Sequence, residues 1–268
     1  MAETAEEIFD YFKEHKPQAT LDSIAYWLVE GDLLMDENEL WAYAIERAAM
    51  DADDQGESRE GLMAATSADK RIIRWRQGKV LTYFVRHSTF PSDAHYQTVV
   101  DNMRKATSAW ERECGVKFKH LVELDKAANV GTDAALFDVV CVPASQVTEK
   151  TKTVLASAFF PDKPKESRHV RVFPFYFTQQ EFDPVGVFRH ELGHVLGFRH
   201  EQIRLASAKD CGDEKFGLAK SLTPYDSKSV MHYLCGNGGD KNLPITEVDR
   251  FGAQRVYGLP FHEVDERD

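Results

Sequence analysis

Two histidines, His190 and His194, stand four residues apart in the run His190-Glu191-Leu192-Gly193-His194, and a third, His200, follows just beyond Gly197. On a helix, residues four apart project from one face, one turn apart, so two imidazoles there can hold one metal ion. Gly197 tolerates a left-handed backbone, which ends the helix and lets the chain double back to bring His200 in as a third ligand. Three neutral imidazoles around zinc leave a fourth position for water, the open arrangement of a catalytic site. Glu191 directly follows the first ligand, where it can take a proton from that water, whose pKa zinc lowers to about 7. One catalytic Zn2+ is the expected cofactor. The other histidines (His15, His87, His95, His120, His169, His232 and His262) show no ligand spacing with one another.

The elements that must position this run are readable around it. Asp183-Pro184 marks the start of its helix, because Asp caps and Pro suits a first turn. Residues 92–113 form the longest expected helix, with Tyr96, Val99, Val100, Met103, Ala106 and Trp110 recurring at three- and four-residue steps. A C-terminal helix is expected over 246–257, opened by Thr246 with Asp249 three residues on. Strands are expected at 79–85, 116–121, 136–142, 153–159 and 169–173. One long helix, several strands and later helices predict an α+β domain. Before it, 3–16 reads as an amphipathic helix through Ile8, Phe9 and Phe12. Residues 25–34 read as extended with a break at Gly31-Asp32, and 37–49 as a helix. Residues 51–70 lose all periodicity and are the best linker candidate.

The histidine run resembles the long zinc signature of the metzincin metalloendopeptidases. Ser229-Val230-Met231-His232-Tyr233 resembles the methionine turn beneath their zinc, which makes Met231 the structural floor of the site. Glu201 after the third histidine and Tyr233 two after the methionine resemble the astacin branch. The resemblance implies that Tyr233 is a mobile extra zinc ligand that stabilises the transition state. It also implies that Glu201 pairs with the new N-terminus after processing. Leu155-Ala156-Ser157-Ala158-Phe159 resembles the edge strand of matrix-type metzincins, to which a peptide substrate adds as an antiparallel strand. The family fold implied is a twisted mixed sheet with a long backing helix, a zinc-binding helix and a C-terminal helix. The likeness covers about residues 72–258 and is dense from Thr153 onward. Astacin precursors carry a Phe-x-Gly-Asp motif whose Asp binds the zinc. Val29-Glu30-Gly31-Asp32 is similar to it, with Val in place of Phe, which makes Asp32 a latency-switch candidate.

Charge separates the two parts of the chain. Residues 1–70 carry 18 acidic and 5 basic side chains, a net of −13; the remaining 26 acidic and 28 basic give the rest a net of +2. This favours two units, an acidic pro-like segment and linker at 1–70 and a catalytic domain at 71–268. Neither unit is basic enough for nucleic-acid binding. No apolar run approaches the roughly 18 residues of a membrane span. The acidic N-terminus has no apolar signal-peptide core, although the family resemblance implies secretion. Four cysteines are too few for a disulfide-built scaffold. Cys211 and Cys235 both lie in Gly-rich, loop-like sequence that suits a surface bridge; four reduced thiols are the alternative.

The reading that unites these features is a zinc metalloendopeptidase made as a latent, monomeric precursor, with a protein or peptide substrate and an activating protease as partners. A zinc amidase or toxin with one narrow target is a rival. A non-catalytic zinc-binding module is a second rival, disfavoured because a structural site would be closed by a fourth protein ligand in place of Glu191.

Overall fold

The computed structural model describes residues 3–51, 62–67, 69–131, 133–201, 219–235 and 238–261. The longest apolar periodicity becomes the longest helix, α3 (Asp93–Glu113), capped by Ser92, whose hydroxyl accepts from the His95 amide. Its buried stripe of Tyr96, Val99, Met103, Ala106 and Trp110 lies over a five-stranded sheet and against helix α4 (Pro184–Val195). Each such large apolar side chain stabilises the fold by about 1.5–3 kcal/mol.

The sheet has the order β6-β5-β7-β9-β8. Strands β5 (Val80–Val85), β6 (Lys117–His120), β7 (Phe137–Cys141) and β9 (His169–Val172) run parallel, and β8 (Ala156–Ser157) closes one edge antiparallel to β9. The result is a mixed sheet in an α+β fold. Only two residues of the expected 153–159 strand join the ladder, Ala156 and Ser157, and the Leu155 carbonyl before them accepts from the Phe173 amide just beyond β9.

The N-terminal quarter is a helix, a hairpin sheet and a helix. Helix α1 (Ala5–His15) opens with a Thr4–Glu7 capping box. Strands β1 (Gln18–Leu21), β2 (Ile24–Val29) and β3 (Leu33–Met35) form an antiparallel meander, followed by α2 (Glu37–Asp51). Strand β1 has no counterpart in the sequence reading. Successive side chains on β2 face opposite ways, as pleating requires. Trp27 and Val29 pack with Ile8, Phe12, Leu40 and Tyr43, while Tyr26 and Leu28 pack on Val142, Val154 and Phe173 of the larger unit. The quarter is thus attached through an apolar face.

The segment read as a linker contains a buried strand. In β4 (Met63–Ala65) every residue is buried, and it is the middle of a three-stranded antiparallel sheet between β10 (Phe198–Arg199) and β11 (Ala219–Ser221). Leu62 and Ala64 belong to the main core. Residues 52–61 lie outside the described residues. The C-terminal helix α5 (Glu247–Tyr257) has the expected Thr246–Asp249 capping box. Among the described residues, no helix is long and apolar enough to cross a membrane. Cys235 is disulfide-bonded, while Cys114 and Cys141 are free and buried; Cys211 lies outside the described residues. His262 lies outside them as well.

Candidate active site

Helix α4 starts where its sequence says it should. Asp183 accepts from the Val185 amide, and Pro184 occupies the first turn. His190, Glu191 and His194 are buried on it. At Gly197 the backbone reaches φ +91°, and a Cβ there would lie 2.5 Å from the Ile73 carbonyl oxygen, so only glycine fits. The Gly197 carbonyl accepts from the Ala65 amide, and β10 then pairs with β4. This returns the chain to deliver His200, which is fully buried, to the two helical histidines.

The His200 Nε2 atom lies 3.2 Å from His190 Nε2 and 3.0 Å from His194 Nε2. Asp32 joins them from the N-terminal quarter, its Oδ2 lying 2.9 Å from His190 Nε2, 3.2 Å from His200 Nε2 and 3.6 Å from His194 Nε2. These four residues form a group that can hold one metal ion. Tetrahedral zinc with bonds of about 2.0–2.1 Å requires ligand atoms roughly 3.3 Å apart, close to the spacings observed. The donor set, three imidazoles and a carboxylate, also suits zinc.

Two further observations support the fit. The outer nitrogens are held: His190 Nδ1 bonds the Val230 carbonyl at 2.7 Å, His194 Nδ1 the Phe198 carbonyl at 2.8 Å and His200 Nδ1 the Glu30 carboxylate at 3.1 Å. Each ring therefore directs Nε2 inward. Asp32 Oδ1 and Glu191 Oε2 are buried with no hydrogen-bond partner among the described residues, an arrangement that a cation would relieve.

The charges are strongly perturbed. Burial pushes the Glu191 carboxyl well above the usual range, and the Asp32 carboxylate adds to this. Burial acts the same way on Asp32, but His200 and His194 outweigh it and hold Asp32 well below its ordinary value. His194 is pushed down to about 4, chiefly by burial. Burial would lower His200 too, but the Asp32 and Glu30 carboxylates raise it to about 10.

Beneath the histidines, Ser229 Oγ and the Val230 amide both donate to Asp249 at the start of α5, at 2.6 and 2.8 Å. Met231 is fully buried under Gly193 of α4. The Tyr233 ring centroid is 4.5 Å from that of His200 and 5.6 Å from that of His190. Glu201 is fully buried: its amide donates to the Met231 carbonyl, and its Oε1 accepts from the Asp226 amide at 2.9 Å. His232 stands apart from the cluster, bonded to the Tyr225 hydroxyl and the Tyr233 carbonyl. Beside the site is a cavity of about 160 Å³ bordered by Leu155, Ala156, Phe182, Val187, Leu243 and Glu191. Of the segment Leu155–Phe159, Leu155 and Ala156 border this cavity, and Ala156 and Ser157 form the edge strand β8 of the main sheet.

Sequence reasoning missed Glu30 and Arg199. Glu30 is buried and accepts from Arg199 Nη2 at 3.0 Å and from the Tyr43 hydroxyl at 2.8 Å, and its carboxyl is lowered to about 2. Burial opposes that shift, and the Arg199 and His200 charges overcome it. Their only sequence signal was adjacency, Glu30 to Gly31-Asp32 and Arg199 to His200.

This geometry can hold one metal ion, and comparison with known proteins supplies the class. The Matrixin peptidase family model matches residues 74–209, and the chain belongs to that family, a metzincin zinc metallopeptidase. Zinc metalloproteinase nas-2 of Caenorhabditis elegans is 31% identical over 98 residues, covering 31% of this chain and 32% of that protein. The chain thus matches about a third of the length of this curated relative. Among solved structures, myroilysin aligns with a TM-score of 0.49 at 15% identity, covering 73% of this chain and 98% of its own. A hatching enzyme zinc-protease from the medaka Oryzias latipes aligns with a TM-score of 0.40 at 17% identity, covering 72% and 93%.

Proposed function

We propose that the chain is a zinc endopeptidase held latent by its own N-terminal segment, with Asp32 where the attacking water must stand. The observation that carries this reading is Asp32 Oδ2, which lies within 2.9–3.6 Å of all three imidazole Nε2 atoms. His190, His194 and His200 would hold zinc through Nε2. When bound, zinc lowers the pKa of water to about 7 and polarises a carbonyl. Glu191 takes the proton of the attacking water and returns it to the leaving amine nitrogen. The Tyr233 hydroxyl donates to the oxyanion developing on the scissile carbonyl. A peptide substrate pairs with Leu155–Phe159 as an added antiparallel strand and sends one side chain into the neighbouring cavity. An activating protease, by cutting within the first 70 or so residues, withdraws Asp32, and Glu201 then pairs with the new N-terminal ammonium.

The test compares full-length wild type, Asp32→Ala and Glu191→Gln on an internally quenched peptide and on casein, before and after limiting trypsin, with and without chelator. Uncut wild type should sit at background and Asp32→Ala should be active uncut. Chelator should silence every active sample. Glu191→Gln should lose about 10²–10⁴-fold in the cut form. Uncut wild type matching Asp32→Ala would refute latency, and chelator-insensitive cleavage would refute the zinc mechanism.

A further inference from the structure

The three imidazoles differ in what holds their outer nitrogens. His190 and His194 are rigid members of α4, and each donates to a backbone carbonyl within the same unit, Val230 and Phe198. His200 lies beyond the helix, past the Gly197 turn, and its Nδ1 meets a side-chain carboxylate instead. That carboxylate is Glu30, 170 residues earlier in the chain.

The turn between β2 and β3 is shaped for this contact. Val29 pairs with Leu33, leaving Glu30, Gly31 and Asp32 as a three-residue loop. Glu30 and Gly31 both have positive φ, +52° and +90°. A non-glycine residue in that region is uncommon, and here the conformation is fixed by the partners of its side chain. Glu30 Oε2 takes His200 Nδ1, and Oε1 takes Arg199 and Tyr43. Asp32, two residues on, reaches Nε2 of the same His200 ring. One short turn therefore grips both nitrogens of the third histidine. A Cβ on Gly31 would lie 2.9 Å from the Tyr233 ring, so the turn is also pressed onto the far side of the site.

We propose that Glu30 is a positioning residue for the third zinc ligand, so that the N-terminal segment builds the metal site it also covers. This rests on the assignment of His190, His194 and His200 as the zinc ligands. A carboxylate on Nδ1–H fixes the tautomer, turns the ring and makes Nε2 a better donor, and losing such a partner commonly costs 10–100-fold in metal affinity. Arg199 acts through the same carboxylate. It neutralises Glu30 and keeps it on a ring that has no helix to hold it. Loss of the segment would remove this support along with Asp32, so the uncut chain should hold zinc more tightly than the cut enzyme.

The test measures zinc affinity by competition with a chromophoric chelator on the full chain, in wild type, Glu30→Ala, Glu30→Gln, Tyr43→Phe and His200→Ala. Circular dichroism and urea transitions of the metal-free proteins report folding, and the visible spectrum of the cobalt-loaded forms reports ligand geometry. Glu30→Ala should weaken zinc by about 10–100-fold and change the cobalt bands. Glu30→Gln keeps an acceptor for Nδ1–H and should lose roughly tenfold or less, though more than twofold. Tyr43→Phe, which removes one donor to Glu30 and leaves His200 held, should stay within about twofold of wild type. A folded Glu30→Ala protein that keeps wild-type zinc affinity and cobalt bands overturns the proposal. If Glu30→Ala does not fold, Glu30→Gln decides, and wild-type affinity there overturns it equally. His200→Ala binding zinc as tightly as wild type would overturn the ligand assignment instead, which separates the two failures.

Discussion

Gly193 lies between the two helical histidines, and replacing it with alanine sets two known effects against each other. In an isolated helix the change is favourable by about 1 kcal/mol, because glycine is the poorer helix former. Here the new Cβ would lie well inside 3.0 Å of Met231 Sδ, 3.2 Å from Met231 Cε and 3.6 Å from Trp110 Cζ2. Ordinary van der Waals contact begins near 3.4 Å. Met231 cannot simply swing away, since it is fully buried, as is Trp110 on the other side. Forcing a methyl into a closed core costs about 1–3 kcal/mol, and the sulfur sits mid-chain where shifting it moves the whole side chain. With the Cβ so far inside contact, the packing cost falls in the upper part of that range and exceeds the propensity gain, leaving Gly193→Ala destabilised by up to about 2 kcal/mol. Urea unfolding of the metal-free proteins measures this, with zinc affinity followed in parallel because the strain falls between His190 and His194. Repeating Gly193→Ala in a Met231→Ala background should show a coupling of about 1 kcal/mol or more, as the room becomes available. A Gly193→Ala protein as stable as wild type, or more so, would mean that the contact between α4 and the methionine turn is not tight, and the reasoning would fail.

Two further predictions concern buried carboxylates. Asp249 accepts from Ser229 Oγ, the Val230 amide and the Thr246 amide, so Asp249→Ala strands buried donors worth about 1–3 kcal/mol each. A loss of about 3 kcal/mol or more is expected in urea unfolding. Asp249→Asn should cost less, because burial already holds the carboxyl above its usual range; a loss under about 1 kcal/mol for the alanine variant would contradict the accounting. The Asp138 carboxyl is below its usual range: burial opposes the shift, but hydrogen bonds and charge from His169 and Arg86 overcome it. A depressed folded-state value contributes stability that is complete above the unfolded value of about 3.9 and is lost as pH falls through the lower folded one. The stability gap between wild type and Asp138→Asn should therefore shrink as the pH is lowered through the acid range in which the carboxylate is protonated. A gap that holds or widens into acid would show that Asp138 is not the group responsible.

The parts of the site that the sequence made legible are those set by local rules. His190, His194 and Gly197 declare a helix and its end within eight residues, and Asp183-Pro184 and Thr246 with Asp249 mark helix starts by capping chemistry. Strand β4 was hidden for the opposite reason. Leu62-Met63-Ala64-Ala65 has no β-branched residue and no alternation, and its partners β10 and β11 lie more than a hundred residues downstream. Burial on every side, not local preference, makes it a strand. The same holds for Glu30. Nothing in Val29-Glu30-Gly31-Asp32 says that the glutamate and the aspartate grip one histidine ring from its two nitrogens, since that depends on where the Gly197 turn delivers His200.

The acidity of the first 70 residues was the feature that separated them from the rest, yet bulk charge is not what operates at the site. Of the segment's described carboxylates only Glu30 and Asp32 are buried, 4% and 7% exposed. The other described acids face solvent in whole or in part, where screening leaves each little influence on a buried centre. The two buried carboxylates have different counter-charges. Arg199, itself 3% exposed, stands against Glu30. Asp32 has no arginine or lysine beside it in the described structure, only the three imidazoles. A buried carboxylate so placed is costly unless the imidazoles carry a proton or a cation takes its place. Zinc supplies that charge without protonating any of the three rings, so metal binding and closure of the site by Asp32 should reinforce one another. A chain designed only to exclude water could have used any bulky residue at position 32. A carboxylate there is the choice that also stabilises the metal.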